Sequence, residues 1–249
     1  MRKRGHWIFA AGYDRSMQAM ERQVLGARRR RLLSGLTGDV LDVGAGTGVN
    51  LQHYRAASKV VAVEPDPAMR ARLTRRVAAL SGPAASEPTT PAASTPAPST
   101  PPATPAPAAS TPVGTPADSF GRIPVDVHDA AAESLPFPDG SFDAVVCTLV
   151  LCTVADPSRA LSEAARVLRP GGRLVVLEHV RGTGRLARWQ DRITPLFSRM
   201  AGGCHPNRDT RAAIEKAGFT FEHVEAFQPL PGWVPTSPML EAVAIPPST

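Results

Sequence analysis

The segment Val40–Asn50 reads Val-Leu-Asp-Val-Gly-Ala-Gly-Thr-Gly-Val-Asn, with glycines at 44, 46 and 48 directly after an apolar run. Glycine takes positive φ without steric cost and lets a ligand approach the backbone closely. A turn of this kind opening a helix can hold a ligand against main-chain amides. A dinucleotide site needs glycines at relative positions 1, 3 and 6, with a pyrophosphate on the helix N-terminus. Here the sixth position is Val49, and Asp42 sits two residues before the first glycine. A carboxylate there repels a pyrophosphate and suits a cationic amino group. Glu64 follows a second apolar run, 20 residues after Gly44. In an open α/β sheet that spacing places a carboxylate where it can accept from both hydroxyls of a ribose.

Those charges fit S-adenosylmethionine, which carries an ammonium, a carboxylate and a sulfonium but no phosphate. Its methyl group is already activated, so catalysis needs an in-line nucleophile at close range and a site that excludes water. A thiol acceptor, with an unperturbed pKa of about 8.5, would gain from a base or a positive field. His179, at the end of an apolar run, is the candidate catalytic base; its alternative role is a hydrogen-bonded structural histidine. Of the three cysteines, Cys147 is expected to pack in a strand and Cys152 to line the acceptor pocket as a small apolar group. None is expected to be a nucleophile. There is no CxxC pair and no His/Asp/Glu cluster with metal spacing, so no metal is expected.

Alternating strands and helices must position these residues. Asp39–Val43, Lys59–Val63, Ile123–Val127, Phe142–Thr148 and Arg173–Val180 read as strands. Between them, Pro67–Leu80 and Pro157–Leu168 read as helices, Val49–Arg55 as a helix start, and Pro170–Gly172 as a tight turn. Such alternation predicts a parallel sheet covered on both faces. Arg185–Met200 and Asp209–Ala217 read as helices, then Phe219–Phe227 and Met239–Ile245 as two strands forming an antiparallel hairpin. Residues 13–34 read as a helix, with Met17, Met20, Val24, Ala27 and Leu32 roughly along one stripe. The expected organisation is a basic N-terminal cap over 1–38 and one ligand-binding domain over 39–249, interrupted at 81–118.

That interruption is compositional. Of its 38 residues, 33 are Pro, Ala, Thr or Ser, too little apolar surface to offset ordering entropy. The reading is an extended, polyproline-like surface insertion. The remaining 211 residues suffice for one domain with a sizeable core. The net charge of +6 is concentrated in residues 1–35, which hold nine Lys/Arg against two Asp/Glu. A nucleic-acid binder would spread basic residues over a domain face, so no nucleic acid is expected. A basic end segment suits an anionic membrane surface or an acidic ligand, or nothing specific. No apolar run reaches the roughly 18 residues of a membrane span. Trp7–Ala11 is also too short for a secretory core, so the expected location is the cytoplasm, with peripheral contact at the inner face of the membrane as an option.

The residues quoted, together with Leu135–Asp143 (LPFPDGSFD) and Ala164–Gly172 (AARVLRPGG), resemble the Rossmann-like S-adenosylmethionine-dependent methyltransferases of the ubiquinone/menaquinone type. Val145–Val154, Glu178-His179-Val180, Trp189-Gln190 and Gly203-Cys204 are similar, in the same order, to methyltransferase-like thiol S-methyltransferases. The resemblance implies a Rossmann-like α/β fold and S-adenosylmethionine as cofactor. It implies that Gly44, Ala45, Gly46 and Gly48 with Asp42 hold the methionine part. Glu64 and Pro65 would meet the ribose, and Ala132 and Glu133 would flank adenine. Thr148 and Leu149 would lie under the sulfonium, and Tyr13 would belong to an N-terminal cap. Where many relatives carry Asp or Asn before this Ala-Glu pair, the chain has Ala131, which leaves adenine to backbone amides. The acceptor pocket would be roofed by the N-terminal helix and residues 183–205, with Trp7, Phe9, Trp189, Leu196, Phe197 and Trp233 making it apolar. The implied partner is a small acceptor, a thiol first. The alternatives are a lipid headgroup amine or a quinone ring. Outside the class stand a nicotinamide-dependent oxidoreductase and a non-catalytic cofactor-binding module that docks a partner through the Pro-rich tract.

Overall fold

The computed structural model describes residues 24–81 and 123–247. Tyr13, the first half of the expected N-terminal helix and nearly all of the Pro-rich tract lie outside them. Seven strands form one sheet: β1 (Thr37–Val43), β2 (Ala56–Val63), β3 (Val125–His128), β4 (Phe142–Thr148), β5 (Leu168–His179), β6 (Thr220–Phe227) and β7 (Met239–Ile245). Their order is β3-β2-β1-β4-β5-β7-β6. The first five run parallel, and β7 pairs antiparallel with both β5 and β6. The order reverses between β1 and β4, and a ligand crevice opens at such a switch point beyond the carboxyl ends of the strands. The glycine turn after β1 lies there.

Period-two alternation sorts the central strands between two cores. Leu41, Val43, Val61, Val63, Val145, Cys147, Leu174 and Val176 share one, covered by α3 (Pro157–Val167) and α5 (Thr210–Lys216). Val40, Val60, Ala62, Ala144, Val146 and Val175 share the other, with Leu33 of α1 (Gly26–Leu33) and Leu73 of α2 (Pro67–Ser81). Each fully buried Leu or Val contributes about 1.5–3 kcal/mol. In α3 the buried Ala160, Leu161, Ala164 and Val167 recur at helical spacing, and Asp156 caps the helix by accepting from Ser158 N and Arg159 N. Pro157 occupies its first turn, where a missing N–H costs nothing. The remaining helix is α4 (Gly184–Met200).

Two expectations change. Val49–Arg55 forms only a single 3-10 turn, Leu51–His53, before β2 begins. Pro170–Gly172 does not separate β5 from α3. Instead β5 starts at Leu168 and bulges: Leu168 pairs with Phe142, while Arg173 already pairs with Ala144. The extra residues are absorbed in the strand. Arg166 of α3 explains the LPFPDGSFD motif. Its guanidinium donates to Leu135 O (3.0 Å), Phe137 O (2.8 Å) and Asp139 Oδ1 (2.8 Å), while Glu163 accepts from Leu135 N. The motif's turn is clamped onto the helix that follows it.

Candidate functional site

At the end of β1, Gly44, Gly46 and Gly48 all have positive φ. A Cβ on Gly44 would come within 2.7 Å of Val150 Cγ2, so this backbone packs directly on the segment after β4. A Cβ on Gly46 would meet only Gly44 O, at 4.0 Å. Glycine at 46 therefore keeps open a hollow that no atom of the described residues fills. Ala45 N donates to Val63 O (3.0 Å), and Gly48 N to Ala45 O (2.9 Å), which fixes the turn.

Asp42 lies beneath it, fully buried. Its Oδ1 accepts from Asn50 Nδ2 at 2.8 Å. Its Oδ2 and the buried Tyr54 hydroxyl nearby complete no hydrogen bond of good geometry among the described residues. Burial raises the Asp42 pKa to about 6, partly offset by Asn50, Tyr54 and the charge of Arg29. A buried carboxylate oxygen without a partner is costly. An ammonium ion would satisfy it, as the expected methionine group requires. Asn50 Nδ2 also donates to Thr148 Oγ1 (3.0 Å), and Arg29 of α1 donates to Thr148 Oγ1 (2.7 Å) and to Asn50 Oδ1. Thr148 is thus held by its polar group at the end of β4.

Glu64, nearly buried at the end of β2, has its pKa raised, first by burial. Its Oε2 accepts from Gly46 N and its Oε1 from Asp66 N, both at 2.9 Å. It clamps the glycine turn while each oxygen keeps a second lone pair. Pro65 beside it is exposed. Ala132 is buried, whereas the Glu133 carboxylate accepts from Ala155 N (2.8 Å) and Asp156 N (3.2 Å). At this position the side chain ties two loops together, and the Glu133 carbonyl accepts from Arg159 Nε (2.8 Å).

Leu149 follows Thr148 with φ of +59°, rare for a residue with a branched side chain. The strain is held from below by Glu178. Its buried carboxylate accepts from Val150 N (2.6 Å), Leu151 N (2.7 Å) and Cys152 N (3.3 Å), and burial raises its pKa to about 7. Next to it, at the end of β5, His179 turns Nδ1 toward two thiols: Cys204 Sγ at 3.7 Å and Cys152 Sγ at 3.9 Å. The neighbouring Cys204 thiol first, then burial, pushes Cys152 up; the Cys152 thiol first, then His179, pulls Cys204 down. Cys147 lies apart, buried within β4, as expected.

Sequence reasoning brought together Asp42, the glycines, Glu64, Thr148, Leu149 and His179, and the fold places all of them at the carboxyl ends of the strands. It missed Arg29, Asn50, Glu178 and Cys204. Asn50 and Glu178 lay inside quoted motifs without a role. Arg29 sat in a run of four arginines with nothing to single it out. Of the expected apolar pocket lining, Trp189, Leu196 and Trp233 are exposed.

The "Methyltransferase domain" family model matches residues 13–224. The chain is 31% identical to rat thiol S-methyltransferase TMT1B over 96% of its own length and 84% of the relative's. Among solved structures, it resembles a putative methyltransferase in complex with the Haloferax volcanii Trm112 activator, with TM-score 0.63, 16% identity and 97% of each chain covered. It also resembles geranyl diphosphate C-methyltransferase from Streptomyces coelicolor bound to S-adenosyl-L-homocysteine, with TM-score 0.61, 18% identity, and coverage of 94% and 82%. At these identities the structures speak for the fold, which is Rossmann-like.

Proposed function

The chain belongs to the methyltransferase-domain family and is an S-adenosylmethionine-dependent methyltransferase, and from that premise we propose that its acceptor is a small thiol. The observation that carries this choice is the similarity to a thiol S-methyltransferase over 96% of the chain and 84% of that relative. The geometry supports it. His179 stands at the end of β5, beside the Thr148–Leu149 end of β4, where an acceptor would meet the methyl group.

In this reading Asp42 Oδ2 holds the ammonium, the Gly44–Gly48 amides hold the carboxylate, and Glu64 accepts from the ribose hydroxyls. The buried Ala132 and its backbone flank the adenine. The bound cofactor supplies an electrophilic methyl group. The protein's part is to hold the acceptor sulfur in line, exclude water and favour the thiolate, and His179 is the group placed for that last task. A panel of alkyl thiols, amines, phenols and a quinol, followed by S-adenosylhomocysteine release, tests the choice. Turnover confined to thiols supports it; turnover only with an amine, phenol or quinol replaces it.

We also propose peripheral contact with anionic membranes. No described helix is long and apolar enough to cross a bilayer. On α4, however, Trp189, Leu196 and Met200 are exposed at helical spacing among the exposed Arg185, Arg188, Arg192 and Arg199. That pattern suits an interfacial helix, and the basic N-terminal segment would add to it. Sedimentation with anionic vesicles at moderate salt is the test; no binding removes the proposal.

A further inference from the structure

Cys152, His179 and Cys204 come from three separate segments: the loop after β4, the end of β5 and the loop after α4. Their ligand atoms all lie within 4.8 Å of one another. We propose that they form a site for a thiophilic divalent cation, Zn²⁺, held by two thiolates and an imidazole.

The distances argue for it. Zinc binds sulfur at about 2.3 Å and imidazole nitrogen at about 2.0–2.1 Å in a tetrahedral shell, so neighbouring S and N ligands stand about 3.6 Å apart. The two S···N distances are 3.7 and 3.9 Å. Backbone contacts hold the ligand-bearing segments in place. His205 N donates to Cys152 O (2.7 Å), Arg208 donates to Leu151 O (2.6 Å), and Glu178 accepts from Cys152 N. Both thiols are buried, yet an imidazole faces them. A disulfide would need no imidazole there. The other converging group, His223, Glu225 and Glu241, is already matched by Arg28 and Arg31 and needs no cation.

Spacing along the chain gave no sign of a metal, because the fold assembles the ligands from positions 152, 179 and 204. Three protein ligands among the described residues leave a fourth position, the arrangement of catalytic rather than structural zinc. If the acceptor is a thiol, as proposed above, its sulfur takes that position. The thiol proton leaves to solvent as the S–Zn bond forms. The sulfur then bonds to the methyl carbon while the methyl–sulfonium bond breaks, its electron pair staying on the nucleoside sulfur. The neutral thioether is a weaker ligand and departs. His179 is then a ligand, not the base.

The test uses the full-length chain, reduced and stripped with a chelator, then titrated with Co²⁺ and Zn²⁺. One equivalent of Co²⁺ should give thiolate charge-transfer and tetrahedral d–d bands that Zn²⁺ abolishes. Cys152→Ser, Cys204→Ser and His179→Ala should each weaken binding at least about tenfold, while Cys147→Ser should not. If a variant fails to fold, X-ray absorption on the zinc-loaded wild type reads the ligands directly, two sulfurs and one nitrogen. No uptake of either ion, ligands other than these, or a Cys152–Cys204 disulfide in metal-free protein overturns the site. Thiol turnover unchanged after complete metal removal overturns the metal's catalytic role and leaves the thiol reading intact. Stoichiometric metal without turnover of any thiol removes that reading and leaves the site standing.

Discussion

Asn50 Nδ2 donates to Asp42 Oδ1 at 2.8 Å and so fixes the carboxylate with its other oxygen buried, completing no hydrogen bond of good geometry among the described residues and available to a cation. The pH dependence follows from the carboxylate's burial, which raises its pKa to about 6. The ammonium needs the ionised form. Cofactor affinity should therefore level off above about pH 7, until the ammonium itself loses its proton, and fall by up to roughly tenfold per pH unit below about 6. Asp42→Asn should bind more weakly by about 1–3 kcal/mol and lose that acid limb. Calorimetric titration across this range checks both; an acid limb unchanged in the variant assigns it to another group.

Glu178 accepts three backbone N–H groups from the segment that carries Leu149 and Cys152. Glu178→Ala should cost at least about 2 kcal/mol, because buried donors are left without an acceptor. The sign of its linkage is opposite to that of a paired surface carboxylate. Its folded pKa is raised from 4.5 to about 7. Its contribution is full below pH 4.5 and is lost as pH rises through about 7. Urea unfolding at both ends of that window should show a slope in the wild type that Glu178→Gln reduces, the remainder coming from Asp42, whose pKa is also raised, to about 6.

Gly46→Ala separates folding from binding. The new Cβ meets nothing closer than 4.0 Å but must adopt φ near +58°. Stability should drop by only about 1–2 kcal/mol, the cost of a left-handed alanine. Cofactor affinity should drop more than tenfold, because the methyl group occupies the hollow. A variant that melts earlier yet binds normally would show that the hollow holds no ligand.

Arg28 and Arg31 of α1 both pair with the buried Glu241 of β7, and Arg28 also stacks 3.6 Å from the Phe227 ring centre. Replacing both with Met leaves the buried carboxylate with His223 Nε2 (3.2 Å) but no arginine, and should cost roughly 1–3 kcal/mol, discounted for the exposure of Arg31. Hydrogen exchange should then rise in α1 and along β7. Protection unchanged in both would mean that apolar packing alone docks the helix.

Much of this was legible from local pattern. The strands β1, β2, β4 and β7 announce themselves as short apolar runs, β2 as a β-branched one, and the glycine turn, Asp42 and Glu64 occur at set spacings along one stretch of chain. What local pattern cannot carry is convergence. Asn50 meets Thr148 across 98 residues, and Cys204 meets His179 across 25, with α4 between them in the chain. The bulge that merges Pro170–Gly172 into β5 depends on a partner strand that the sequence does not align with it. Glu133 looks like a ligand contact by motif, yet its carboxylate is taken by Ala155 and Asp156, a demand set by loop geometry.

The most direct measurement is titration of the folded chain with S-adenosylhomocysteine. Saturable binding at one site per chain is expected, weakened at least about tenfold in Asp42→Ala, whose carboxylate would hold the ammonium. No heat with the wild type, or equal affinity in the two proteins, would contradict the placement of the cofactor on which the whole account stands.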